Sequence, residues 1–243
     1  LANEMFLDSS SLRSSVVSHA KTLGYVPTSA RASKATVDVT LNTNDTSATM
    51  PAGTVFNTTV DDVSYQFSTI SDVTKSNTGN TIPFTSIDVY EGSFITTRYT
   101  VDSSDVDQRF IITDNRADTT TLTVKVQTSS TDSSSNTFTE ATDITQVTTG
   151  SNVYFLQEVE AGLFEVYFGD GIIGTALSDD NIVILTYVVS NKTAANGAAI
   201  FTNSAAIASV TDIAVATSAT STAGSEPESL SSIKYNAPLD FAS

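Results

Sequence analysis

The apolar residues of this chain follow two different periods. Near the N-terminus they recur at spacings of three and four, as on one face of an α-helix: Leu12, Val16, Ala20 and Leu23. Asp8 or Ser9 can cap this helix, Gly24 can end it, and Pro27 prevents its continuation. The pattern predicts a short N-terminal helix whose apolar face packs either on its own domain or in a larger helical bundle.

From residue 35 onward the apolar positions alternate with a period of two. Segments rich in β-favouring residues, separated by Gly, Asn, Asp and Pro, occur at 35–41, 54–56, 65–70, 84–89, 94–101, 110–113, 122–128, 153–159, 163–168, 182–189 and 207–216. The polar tract 129–136 is expected to join two strands as an exposed loop, and Pro227 opens a short helix that reaches about Tyr235. We predict a mainly β fold, with two antiparallel sandwich-like or barrel-like domains and short N- and C-terminal helices.

The pattern divides the chain into four regions. Residues 1–27 form the helical segment, expected to be the end of a longer helical region, and residues 28–105 form the first β domain. Residues 106–204 form the second β domain. Residues 205–243 hold a strand, then a linker and helix expected to lead to a further C-terminal region. The boundary near 105 rests on acidic residues clustered between strands: Asp102, Asp105 and Asp107.

Charge and composition narrow the possible functions. The chain carries 11 Lys and Arg against 27 Asp and Glu, for a formal net charge of -16. Because nucleic acids and anionic membrane surfaces are bound by clusters of cations, we expect neither as a partner. There is no cysteine, which excludes disulfides, thiolate metal sites and cysteine nucleophiles. No apolar run reaches the roughly 18 residues that a membrane-spanning helix needs.

One glycine-rich motif suggests a chemical interpretation. Residues 169–174 match the dinucleotide-binding pattern G-x-G-x-x-G and follow a predicted strand. Dinucleotide binding also needs a helix directly after the glycines, whereas here a polar loop leads into the β-rich segment 182–187. The motif instead predicts a tight β-hairpin in which Asp170 and Gly171 adopt positive φ angles.

Residues suited to catalysis or metal binding are sparse. The single histidine, His19, lies in the predicted helix, and no motif marks a serine nucleophile to accompany it. The acidic pairs at 61–62 and 179–180 lack the spacing of calcium-binding loops and are expected in solvated turns. We therefore expect no enzyme activity, no cofactor and no bound metal, with a depolymerase that uses paired carboxylates as the lesser alternative.

The glycine motif belongs to a longer pattern that resembles the baseplate J-like family, the wedge components of contractile phage tails. The hallmark segment spans 163–174 and includes Phe168, Gly169, Asp170, Gly171 and Gly174. Further similar blocks follow at 182–187, 195–197, 205–210, 222–230 and 233–238. The N-terminal blocks 3–8, 23–27 and 50–56 most resemble wedge proteins of contractile-tail phages (myoviruses) related to the T-even group.

This resemblance implies a non-catalytic, structural role in the tail baseplate of a virion. Such proteins are assembled in the host cytoplasm, form the inner baseplate ring and take part in contraction signalling. The implied partners are a second copy of the chain within a wedge, neighbouring wedges in a ring, other wedge proteins and the sheath initiator. The expected interface is the apolar helix face formed by Leu12, Val16, Ala20 and Leu23. An extracellular adhesin or a carbohydrate-binding β module is the alternative interpretation.

Overall fold

Strands dominate the computed structural model of this protein, which describes residues 2–105, 108–142 and 144–242. The strands are β1 (Lys34–Asn42), β2 (Ser47–Met50), β3 (Val55–Val60), β4 (Val63–Ser68), β5 (Val73–Ser76), β6 (Thr81–Glu91), β7 (Ser93–Thr100), β8 (Phe110–Ile112), β9 (Ala117–Gln127), β10 (Ser135–Glu140), β11 (Val153–Glu158), β12 (Phe164–Phe168), β13 (Ile182–Val189) and β14 (Ile213–Thr222). The α-helices are α1 (Arg13–Thr22) and α2 (Leu230–Phe241), and short 3₁₀ turns cover Ala2–Met5, Ile144–Gln146, Glu160–Gly162 and Lys192–Ala195. The predicted mainly β fold with a helix near each end is confirmed.

The first sheet has five antiparallel strands in the order β14-β1-β6-β4-β3. Strand β1 alternates strictly between buried and half-buried positions over most of its length, so one face of the sheet covers a core. A small β2–β5 sheet contributes Met50 to that core, and Phe67 meets Phe201 edge-on at 4.9 Å between ring centroids. Two residues, Asp61 and Asp62, connect β3 to β4 with φ angles of 49° and 64°, so this acidic pair forms a tight hairpin turn.

The second sheet has seven strands in the order β7-β13-β9-β10-β11-β12-β8, and its one parallel pair is β10 with β11. Its core is built around aromatic rings in edge-to-face contact. Phe110 meets both Tyr99 and Phe168 in this way, and Phe168 meets Phe138. These contacts add to the apolar area that the sheet buries.

The two sheets do not follow the predicted domain boundaries. Strand β7 precedes residue 105 but pairs with β13 in the second sheet, and β14 follows residue 205 but pairs with β1 in the first. The chain leaves the first sheet at Gly92 and returns to it after Ser190. The strands of the second sheet, β7 to β13, are thus inserted in the chain between β6 and β14 of the first sheet.

The helices differ from prediction mainly at their ends. Leu12 rather than Asp8 or Ser9 occupies the N-cap of α1, and it makes no side-chain cap bond. Gly24 follows α1 with a φ of 81°, in agreement with the predicted end of the helix. Ser229 caps α2 by accepting a hydrogen bond from the Ser232 amide, so this helix begins after Pro227 and runs past Tyr235 to Phe241.

Three strands were not predicted: β2, β5 and β10. Each is short and exposes most of its side chains, so none shows an apolar alternation. The predicted loop at 129–136 does join two antiparallel strands, although its last two residues already belong to β10.

We predict that Gly92→Ala destabilises the fold by about 2–3 kcal/mol. Gly92 has a φ of 126°, and an added Cβ would lie 2.2 Å from the Val189 carbonyl oxygen, so the two crossing segments would have to separate. Chemical denaturation measures this loss. Gly150→Ala is the matched control, because no atom lies within 4 Å of its added Cβ and its φ is not in the left-handed region; equal effects of the two variants would contradict the account.

Candidate functional site

The glycine motif is not a hairpin, and that prediction is wrong. Strand β12, which precedes the motif, lies between β11 and β8, whereas β13 lies between β7 and β9. The chain therefore has to cross from one part of the sheet to another after Phe168. The sequence predicted a polar loop rather than a helix after the glycines, and residues 175–181 contain no helix.

Residues 169–174, hereafter the glycine loop, fold back on themselves. Asp170 Oδ1 accepts hydrogen bonds from the amides of Ile172 and Ile173 at 2.9 and 3.0 Å, and the Gly171 amide donates to the Gly174 carbonyl at 3.1 Å. The bonds from Ile173 and Ile172 lower the pKa of the Asp170 carboxyl. Because these amides are satisfied within the loop, they are not directed at an external phosphate.

Close approach of the backbone explains the glycines. A Cβ on Gly169 would lie 2.0 Å from the Ile173 carbonyl oxygen, while Gly171 and Gly174 have φ angles of 86° and 80°. Asp170 does not share the positive φ predicted for it. The loop is tied to its surroundings by the Gly174 amide, which donates to the Thr148 carbonyl at 3.1 Å.

The glycine loop follows a half-buried anchor and carries an exposed tip. Phe168 packs against the core of the second sheet, whereas Ile172 and Ile173 are 73% and 40% exposed. The loop therefore presents apolar side chains to the outside on a backbone fixed by its own hydrogen bonds.

The two helices form a second candidate surface. Val16 and Ala20 of α1 are fully buried against Ile233 and Ala237 of α2. The predicted interface face of α1 is thus largely covered by the C-terminal helix of the same chain. Leu23 is half-buried in the same cluster, and Leu12 remains exposed.

The outer side of this pair carries exposed apolar residues, of which only Leu12 was identified from the sequence. We call residues 2–24 and 230–241 the helical layer. Its apolar side chains that are more than half exposed are Met5, Phe6, Leu12, Tyr235, Leu239 and Phe241. Tyr235 and Leu239 are one helical turn apart and lie opposite Ile233 and Ala237, because successive helix residues are about 100° apart. Their spacing of four was visible in the sequence, but not which of the two faces is buried.

Glu228 orders the segment that leads into α2. Its carboxylate accepts hydrogen bonds from the Tyr25 hydroxyl at 2.9 Å, the Thr28 amide at 3.0 Å, the Ser232 hydroxyl at 2.6 Å and the Asn236 amide group at 3.0 Å. Burial raises the pKa of this carboxyl, but these four groups outweigh burial and hold the pKa below its usual value. Burial and the Glu228 carboxylate together raise the pKa of Tyr25 to about 12.

Arg13 links the helical layer to the second sheet. Its guanidinium donates to both carboxylate oxygens of the buried Glu158, at 2.6 and 2.8 Å, and to the Glu228 carbonyl at 2.6 Å. A bidentate pair of this kind fixes orientation as well as distance. The helical layer is therefore held in a defined position at the C-terminal end of β11.

The single histidine contacts the backbone within the helical layer. His19 Nε2 lies 3.0 Å from the Glu4 carbonyl oxygen, which leaves this ring with a structural contact. The searched residues contain no group of three or more His, Cys, Asp and Glu side chains that could hold a metal ion. Among these residues, no helix is long and apolar enough to span a membrane.

No protein-family model matches the chain, and no curated protein matches it.

Within the glycine loop, we expect Gly169→Ala to cost about 2–3 kcal/mol and Gly171→Ala about 1 kcal/mol of folding free energy. The first variant forces its Cβ into a carbonyl oxygen, whereas the second incurs the cost of a positive φ, with its nearest neighbour, Ala176 Cβ, at an ordinary 3.6 Å. Chemical denaturation of both variants gives the comparison. A larger loss for Gly171→Ala than for Gly169→Ala would contradict this geometry.

We predict that Glu228→Gln lowers the free energy of unfolding by about 2 kcal/mol near neutral pH. The folded-state pKa is depressed, so the contribution of the carboxylate is present above the ordinary value of 4.5 and is lost as pH falls through the folded-state pKa. The deficit of the variant should therefore shrink on acidification. Unfolding measured across the acidic range tests this, with Glu226→Gln as control, because Glu226 is exposed and pairs with Lys192 alone. A deficit independent of pH would contradict the role of charge.

Proposed function

We propose that this protein is a structural subunit of a contractile phage tail baseplate, where it acts through interfaces rather than through chemistry. The proposed role is that of a wedge component of the inner ring, which takes part in assembly and in contraction signalling. The family resemblance at 163–174 and in the blocks around it motivates this proposal.

The observation that carries the proposal is the apolar outer side of the helical layer. Six large apolar side chains there are between 54% and 70% exposed, although neighbouring positions on both helices are fully buried. Tyr235 and Leu239 are adjacent on α2, and adjoining exposed apolar side chains are typical of surfaces that associate. Burying such side chains contributes up to about 1.5–3 kcal/mol each, so a few of them can drive the formation of a dimer.

The proposed occupant of this surface is a second copy of the chain. A two-fold interface uses the same patch on both subunits, and α2 offers a self-complementary apolar row in Tyr235 and Leu239. The rigid attachment of the layer through Arg13 and Glu158 supports this, because a fixed helix pair loses little entropy on association. Neighbouring wedges, other wedge proteins and the sheath initiator would contact the remaining surfaces.

We expect the chain to self-associate with rising concentration and Tyr235→Ser/Leu239→Ser to weaken that association by about tenfold or more. Sedimentation velocity over a concentration series measures the dissociation constant. Both residues point away from the core, so the variant should keep its fold.

Val63→Ser/Ile200→Ser is the matched control, because these residues are 52% and 77% exposed but lie outside the helical layer. The control should associate as the unmodified chain does. A strictly monomeric chain at high concentration, or equal losses in the two variants, would count against the proposal.

A further inference from the structure

The outer face of the second sheet carries two cations in one row. Arg98 on β7 and Lys125 on β9 both lie opposite Ile184 on the central strand β13, so the three side chains point to the same face. Neighbouring strands are about 4.8 Å apart, which places the two cationic residues about 10 Å apart. The neighbouring residues along each strand, such as Tyr99, Val124 and Leu185, turn the other way, into the core.

Polar groups without charge occupy the adjacent rows. Thr96, Thr186 and Thr123 form one row across the same three strands, and Gln127 lies beyond the cations on β9. The face is walled by Phe94 and by the segment around Asp72, and together these groups enclose a groove of about 530 Å³. That volume is within the range of sites for small ligands.

Neither cation forms a salt bridge with a carboxylate in the part of the chain that the structure describes. Of its 11 Lys and Arg residues, six form salt bridges with a described carboxylate. Arg98 and Lys125 are among the other five, and Arg98 donates to the Gln127 side chain at 3.2 Å instead. The Asp72 carboxylate also lines the groove, but the two cations leave the lining with a net positive charge in a protein of net charge -16, which favours a ligand that carries carboxylates.

The position of the groove distinguishes between kinds of acidic ligand. An extended peptide commonly binds at a sheet edge, where free backbone groups pair with its own main chain. Here β7 is an edge strand, but the groove lies over the face of the sheet and extends across β13 and β9, which are each paired on both sides. Side-chain hydroxyls, an amide and cations therefore perform the recognition. Such groups match a ligand rich in hydroxyls, and the ring of Phe94 offers an apolar wall for the face of a sugar.

We propose that this face is a binding site for an acidic oligosaccharide. Arg98 and Lys125 would each engage a carboxylate, while the threonine row and Gln127 would bind hydroxyls of the sugars between them. Ile184, which is almost fully buried, forms the floor. The site is independent of the helical layer, so its failure would leave the proposed assembly role unchanged.

Isothermal titration calorimetry of the intact chain with tetragalacturonate tests the proposal, with maltotetraose as the neutral comparison. We expect tetragalacturonate to bind and maltotetraose to bind more weakly. Arg98→Ala/Lys125→Ala should weaken the binding of tetragalacturonate by about fivefold or more, because two exposed charge contacts are lost. Added salt should weaken binding to the unmodified chain more than to this variant.

Lys21→Ala/Lys234→Ala removes the same number of charges from the helical layer and should bind tetragalacturonate as the unmodified chain does. Thr96→Val/Thr186→Val keeps the shape of the threonine row and should weaken sugar binding by about fivefold through lost hydrogen bonds. Absence of tetragalacturonate binding, or equal losses in the two charge variants, would overturn the proposal. Equal or tighter binding of a hexaglutamate peptide would also overturn it and identify an acidic polypeptide as the ligand.

Discussion

The arrangement of this protein depends on the point where the chain crosses from one sheet to the other and back. Glu91 ends β6 with its side chain almost fully buried, and its carboxylate accepts hydrogen bonds from the amide and the side chain of Asn191 at 2.8 and 2.7 Å. Burial raises the pKa of Glu91, and the bonds from Asn191 offset part of that effect. Gly92 follows Glu91 and leads into the second sheet, and Asn191 follows the last strand of that sheet. One carboxylate therefore links the two points where the chain enters and leaves the seven-stranded sheet. The close approach of Gly92 to Val189 allows no side chain there.

The helical layer completes this arrangement, because the ends of the chain close over the insertion. Arg13 holds Glu158 of the second sheet, and Asp118 of the same sheet accepts a hydrogen bond from the Ala32 amide at 2.9 Å. Two segments that precede β1 are thus attached to the second sheet. Fixed elements with exposed apolar or charged side chains are the surfaces from which assemblies are built. The three surfaces described, namely the glycine loop, the helical layer and the cationic face, all consist of side chains mounted on such elements.

The sequence predicted the strands whose burial alternates or is continuous, such as β1 and β13, because their pattern repeats within a few residues. It did not predict which strands pair, and the hairpin error follows from this, since the partners of β13 lie about 60 to 90 residues earlier in the chain. Strand β10 was not predicted, because it has only one buried residue and a single residue shows no alternation. At the candidate sites, the glycines were recognised as a constrained turn. The roles of Tyr235 and Arg98 were not recognised, because each depends on a segment that is distant in sequence. The role of Gly169 was not recognised either, because it depends on how the loop folds back on itself.

We propose the helical layer as the surface through which this protein assembles. Hydrogen–deuterium exchange, compared at low and high protein concentration, locates such a surface without a substitution. The account predicts that exchange slows on concentration within 230–241 and the N-terminal segment, while the strands of the second sheet are unchanged. Exchange that is independent of concentration, or protection confined to the sheets, would contradict it.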